Sequence, residues 1–167
     1  MKNIVLIGIM GCGKTTISKM LGEKLGWPVI DIDEYIVDKF NQTINEMFDV
    51  SEAYFRNNET ECCKELASLH GHVISTGGGV ILKSENIEYL KSNGIIIYID
   101  RPIENIVEDV HVASRPLLKE GPQKLYDLDK QRHQLYLDAC DYHLINDGTL
   151  EEIVDEIISI SSSMVVK

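Results

Sequence analysis

An α/β fold of three layers, with helices on either side of a five-stranded parallel sheet, is what this sequence predicts. Two observations carry the prediction. Short apolar runs, among them Ile4-Val-Leu-Ile7, Val73-Ile-Ser-Thr76 and Gly94-Ile-Ile-Ile-Tyr-Ile-Asp100, alternate with stretches of helical spacing. Strands that read as apolar throughout are buried on both faces, which is the habit of parallel sheets. The second observation is Gly8-Ile-Met-Gly-Cys-Gly-Lys-Thr15, which matches GxxxxGK[ST] at every fixed position and sits between a strand and a helix. At 167 residues the chain is expected to be a single domain, 1–167.

The elements follow in order. Residues 2–8 form a buried strand, and 14–25 form an amphipathic helix that stops near Gly26. A second strand covers 27–31. Helix resumes from Asp33 to Phe40, with Asp33 placed as its cap. Thr43-Ile-Asn-Glu46 has the form of a capping box opening a short helix. Ser51 begins a longer helix that reaches His70. The third strand, 73–76, is cut off by Gly77-Gly-Gly79. Helix 85–92 precedes the fourth strand, 94–100, and Pro102 opens a helix over 102–110. Residues 111–124 hold Pro116, Gly121 and Pro122 without a clean period and read as a mobile lid loop. A helix to Cys140, a strand over 142–145 and a closing helix from Thr149 complete the chain. The interval 33–70 is too long for a simple crossover and reads as an inserted, helical substrate-binding subdomain.

Composition narrows the function. Sixteen Lys and Arg against 27 Asp and Glu give a formal charge of −11, whose field repels nucleic acid and anionic membranes. An anionic substrate must therefore be met by locally gathered cations. The start, MKNIVLIGIM, is interrupted by Gly8 and reads as a strand, not a secretory leader. No apolar stretch reaches the ~20 residues of a membrane span. Cys12, Cys62, Cys63 and Cys140 form no CxxC pair and read as reduced, cytoplasmic thiols, with Cys62 and Cys63 packing a helix.

The chemistry begins at the glycine-rich loop. Gly11, Cys12, Gly13, Lys14, Thr15 and Thr16 turn successive N–H groups inward, and the helix that follows adds its positive dipole end. In such a cradle Lys14 bridges the β- and γ-phosphates of a nucleotide and the Thr15 hydroxyl binds Mg²⁺. Asp31 and Asp33 flank Ile32 at the carboxyl end of the second strand, where they either face the loop from the edge of the sheet or serve only as a turn residue and a helix cap. Asp100, closing an apolar strand, is a rival metal carboxylate, and Asp31 is favoured over it. Arg56 and Glu59 lie three apart on one helix face, where a held guanidinium can grip an anion or form only a solvated ion pair. Bare N–H groups at Gly77-Gly-Gly79 allow close approach of a ligand. Arg115, in the loop, is a candidate lid arginine; Arg132, after it, is a weaker signal alone.

Together these residues resemble the shikimate kinases. The narrower marks are Asp31-Ile-Asp33, FRNNE at 55–59, STGGGV at 75–80, SRPLL at 114–118 and RHQLY at 132–136, in that order and spacing. The resemblance implies a nucleoside-monophosphate-kinase-like fold. It also implies an enzyme that transfers the γ-phosphoryl group of ATP to the 3-hydroxyl of shikimate, giving shikimate 3-phosphate and ADP for aromatic amino-acid biosynthesis. By that resemblance Asp33 holds the substrate's ring hydroxyls and is the candidate base. Arg56, Arg132 and the N–H groups of Gly78 and Gly79 bind its carboxylate, and Glu59 orients Arg56. Asp31 and Thr15 serve Mg²⁺, and Lys14 with Arg115 neutralises the phosphates. The expectation is a cytoplasmic monomer with shikimate and ATP as its small-molecule partners and with no nucleic acid or membrane. One departure stands out: shikimate kinases commonly carry an arginine against adenine where this chain has Glu108. The alternative is another small-molecule kinase with the same phosphate loop, acting on a hydroxylated acid such as gluconate.

Overall fold

The computed structural model describes residues 1–113 and 122–165. Among them, five strands form one sheet in the order β2-β3-β1-β4-β5, with every neighbouring pair parallel. They are β1 (Asn3–Ile7), β2 (Val29–Asp31), β3 (Val73–Ser75), β4 (Gly94–Asp100) and β5 (Tyr142–Ile145). Ile4, Val5, Leu6 and Ile7 are all fully buried. Successive side chains of a strand point to opposite faces, so a run without exposed members requires cover on both sides.

Helices supply that cover. They are α1 (Lys14–Leu25), α2 (Ile32–Phe40), α3 (Ile44–Val50), α4 (Glu52–Leu66), α5 (Ser84–Ser92), α6 (Ile103–Ala113), α7 (Gln123–Ala139) and α8 (Leu150–Val165). Helix α1 packs on α8 and β3, whereas α5 packs on β4 and α4. The interval between β2 and β3 holds helices and no strand: α2, α3 and α4 pack on one another, burying Ile36, Met47, Cys62 and Cys63.

Local chemistry sets most boundaries. Thr43 and Glu46 form the capping box, with Oγ1 accepting from the Glu46 N–H at 3.1 Å and the Glu46 carboxylate accepting from the Thr43 N–H at 3.4 Å. Ser51 Oγ caps α4 at 3.0 Å. Three expectations need correction. The cap of α2 is Asp31, whose Oδ1 accepts from the Glu34 N–H at 3.2 Å, and Asp33 lies inside the first turn. Helix α4 ends at Leu66, four residues before His70, because Ser68 Oγ takes the Glu65 carbonyl and Asn3 Nδ2 takes that of Leu69 at 2.9 Å. Helix α6 runs to Ala113 and α7 begins at Gln123, so 111–113 and 123–124 of the expected loop are helical. The remainder of that loop, 114–121 with Arg115, lies outside the described residues.

Candidate active site

All five strands deliver their carboxyl ends to one edge of the sheet, and a cleft of about 620 Å³ opens there. Each strand contributes to its walls: the glycine-rich loop after β1, Asp31 and Asp33 at β2, Thr76 to Gly78 after β3, Arg101 after β4, and Asn146 with Asp147 after β5.

The loop is held in shape from outside. Gly13 has φ 106°, a left-handed conformation that side chains resist, and it starts α1. Asn146 Nδ2 donates to the Cys12 carbonyl at 2.9 Å, and Arg101 Nη1 donates to the Gly11 carbonyl at 3.1 Å. Lys14 is 8% exposed, and its ammonium donates to the carbonyls of Gly8 and of Ile9, the latter at 3.2 Å. Thr15 and Thr16 are exposed and line the cleft beside it.

Opposite the loop, the three glycines each meet a different polar side chain. A Cβ on Gly77 would lie 3.0 Å from Asp33 Oδ1, and one on Gly78 would lie 3.5 Å from Arg132 Nη1. One on Gly79 would overlap the Arg56 guanidinium, 2.7 Å from its Cζ. None of the three has positive φ. Glycine is required at Gly79 for room, not for backbone freedom. The turn thus brings Asp33, Arg56 and Arg132 together from three separate helices, and the Tyr136 hydroxyl holds it by donating to the Gly78 carbonyl at 2.6 Å.

Arg56 is not a solvated ion-pair partner. It donates to Glu59 Oε1 at 3.1 Å, lies 3.6 Å from a Glu52 carboxylate oxygen, and sits over the rings of Phe55 and Phe48 at 5.1 and 5.9 Å. Glu59 is 0% exposed. Burial pushes the Glu59 carboxyl upward and Arg56 pulls it back. Asp33 is also raised, first by burial and then by the Asp31 carboxylate, against the pull of Lys14 and Arg56.

Asp31 and Asp100, the two metal candidates, occupy different places. Asp31 lines the cleft together with Thr15, whereas Asp100 Oδ2 lies 2.7 Å from His143 Nε2. No group of three or more His, Cys, Asp or Glu that could hold a metal occurs among the described residues. A hydroxyl and one carboxylate are hard oxygen donors, and they fit an ion such as Mg²⁺ that keeps waters and shares phosphate oxygens. Sequence reasoning missed Arg101, Asn105, Asp109 and Asn146, all of which line the cleft. Two of them directly follow strands, and that position was the available signal. Glu108 is exposed; its neighbour Asp109 is at the cleft wall, 2.6 Å from Arg101 Nη2.

Among the described residues, no helix is long and apolar enough to cross a membrane. The family model described as shikimate kinase matches residues 10–161. A shikimate kinase of Clostridium botulinum (strain Alaska E43 / Type E3) is 47% identical over 94% of this chain and 96% of its own. The Acinetobacter baumannii shikimate kinase solved in complex with shikimate superimposes with a TM-score of 0.88 at 37% identity, covering 100% of this chain and 96% of that one. The Aquifex aeolicus shikimate kinase gives 0.80 at 32% identity, with 98% of each chain covered. Sequence and fold agree over nearly the whole length, and the chain belongs to the shikimate kinase family.

Proposed function

We propose that the cleft transfers the γ-phosphoryl group of ATP to the 3-hydroxyl of shikimate, and that the residues gathered there divide the work as follows. The loop amides from Gly11 to Thr16 and the Lys14 ammonium hold the nucleotide's phosphates. Asp31 and Thr15 fit Mg²⁺, which when bound supplies positive charge at the phosphate oxygens. Arg56, Arg132 and the N–H groups of Gly78 and Gly79 take the acid's carboxylate. Asp33 orients the ring hydroxyls and accepts the proton as the oxygen attacks, a role suited to a carboxylate raised above its usual range. Arg115, in the lid segment, completes the neutralisation of the transferring group.

The observation that carries this reading is the turn at Gly77 to Gly79. Its three positions touch Asp33, Arg132 and Arg56, and the same cleft wall continues into the phosphate loop. Two anions can then lie end to end, and most of the rate comes from positioning and fixed charge. It also answers the charge problem, since cations are concentrated where a chain of −11 must admit an acid. The helices over 33–70 serve as the substrate-binding part and 111–124 as the lid of a single domain. The reading needs no second chain, and the enzyme is taken to act as a monomer. The cytoplasm supplies its ATP, and the negative field leaves nucleic acid unbound.

The test is coupled ADP release with ATP, Mg²⁺ and a panel of hydroxylated acids. Turnover with shikimate and not with gluconate is expected. Turnover with gluconate alone would overturn the assignment. Arg132→Ala should raise the KM for shikimate more than that for ATP.

A further inference from the structure

Tyr98, in β4, is 1% exposed, so its hydroxyl needs a partner inside the protein. That partner is His133 Nδ1 on α7, 2.8 Å away. Burial holds the Tyr98 phenol far above its usual range, so it keeps its proton and has one to share with that ring nitrogen. The Tyr98 ring also packs against Tyr136, with centroids 5.0 Å apart, and Tyr136 is the residue that holds Gly78. On its other side His143 stacks on Tyr98 at 5.0 Å and 15°, and Asp100 takes the Nε2 of that histidine. A continuous chain therefore runs Asp100–His143–Tyr98–His133 from the sheet to α7.

This chain ties α7 to the sheet. Of its 17 residues only Leu125 and Tyr136 are fully buried, with Leu128, Leu137 and Ala139 partly buried against the core, so the polar contact of His133 adds to a modest apolar seam. Neighbours on a helix point about 100° apart, so His133 and Arg132 look out on different surroundings. Arg132 stands against Gly78 beside Tyr136, with which it interacts, and its chain neighbour His133 is tied to the sheet.

We propose that the Tyr98–His133 hydrogen bond is a positioning contact for Arg132, making these two residues determinants of acid affinity that take no part in phosphoryl transfer. The proposal rests on the reading of Arg132 as a carboxylate-binding residue. Neither Tyr98 nor His133 lines the cleft, and the route proposed here runs through α7 to Arg132 behind Gly78.

The experiment measures kcat and both KM values for Tyr98→Phe, His133→Ala, His133→Asn, the double variant Tyr98→Phe/His133→Ala, and Arg132→Ala. Loss of one hydrogen bond predicts that Tyr98→Phe and His133→Ala each raise the shikimate KM about fivefold. The ATP KM and kcat should stay within about twofold. His133→Asn keeps an acceptor near the Nδ1 position and should restore the shikimate KM. The double variant should be no worse than either single one. An unchanged shikimate KM in Tyr98→Phe and His133→Ala, beside a raised one in Arg132→Ala, would overturn the positioning role alone. Equal rises in both KM values would also overturn it, by showing a merely structural contact. If Arg132→Ala itself left the shikimate KM unchanged, the reading of Arg132 would fail, and the positioning role with it.

Discussion

The phosphate loop and the arginine clasp meet at the turn of Gly77 to Gly79 and are built in opposite ways. The loop is eight consecutive residues whose binding groups are main-chain amides. Its glycines supply a backbone path, as at Gly13 with φ 106°. The clasp is made of side chains from α2, α4 and α7, brought to a turn between β3 and α5. Its glycines supply empty space. A site written in backbone is carried by a short motif, while one written in side chains exists only once distant segments have packed.

That difference can be broken at either end. Lys14→Ala removes the one charged side chain the loop itself contributes, and kcat should fall by about a thousandfold or more. A coupled ADP assay at saturating shikimate measures it.

Asp33→Asn tests the clasp where it meets the chemistry, and kcat should drop about a hundredfold or more if the carboxylate accepts the proton. The same variant should melt at a higher temperature at pH 7. A carboxyl whose folded value is raised weakens the fold once the pH climbs through that value, because charge then sits in a buried place. Asparagine removes that cost. The gain in Tm should disappear in acid, below the ordinary carboxyl range of about 4, where wild-type Asp33 is neutral in both states.

Gly79→Ala sharpens the claim that the turn needs space. The new Cβ has φ room but collides with Arg56, which Glu59 and the two phenylalanines hold in place. The shikimate KM should rise about tenfold, with the ATP KM nearly unchanged. A parallel rise in the ATP KM would show that the two halves of the cleft are not separable.

The smallest effect is expected at the metal. Asp31→Asn should raise the Mg²⁺ concentration needed for half-maximal rate several-fold, whereas Asp100→Asn should leave that requirement where it is. A reversal of the two would move the metal from the β2 side of the loop to the β4 side.

How much could be read without coordinates varies by residue. The five strands, the parallel sheet and the loop were legible because apolar runs and a contiguous motif are local signals. Caps were legible where one side chain reaches one amide, as at Thr43 and Ser51. The cap of α2 was misread by two residues, since Asp31 and Asp33 are the same residue type and only the start of the helix tells them apart. The overrun at α4 had a nonlocal cause, the capture of the Leu69 carbonyl by Asn3.

Residues such as Arg101 and Asn146 gave no signal beyond their place directly after a strand. Each braces the loop from a strand about 90 or 130 positions away in sequence. The standing of Arg56 was equally hidden, because the same i,i+3 pair with Glu59 is a weak contact on a wet surface and a rigid anchor when Glu59 is sealed from water.

The amino-acid order alone determined the layers and the phosphate-loop motif, since periodicity and glycine spacing act over a few positions, while the kind of acceptor came from the resemblance its motifs carry. Only the tertiary structure decided which carboxylate lines the cleft, which arginines meet the glycine turn and which side chains touch between α7 and the sheet. Those choices depend on burial and on contacts between segments far apart in the chain, and neither exists until the chain has folded.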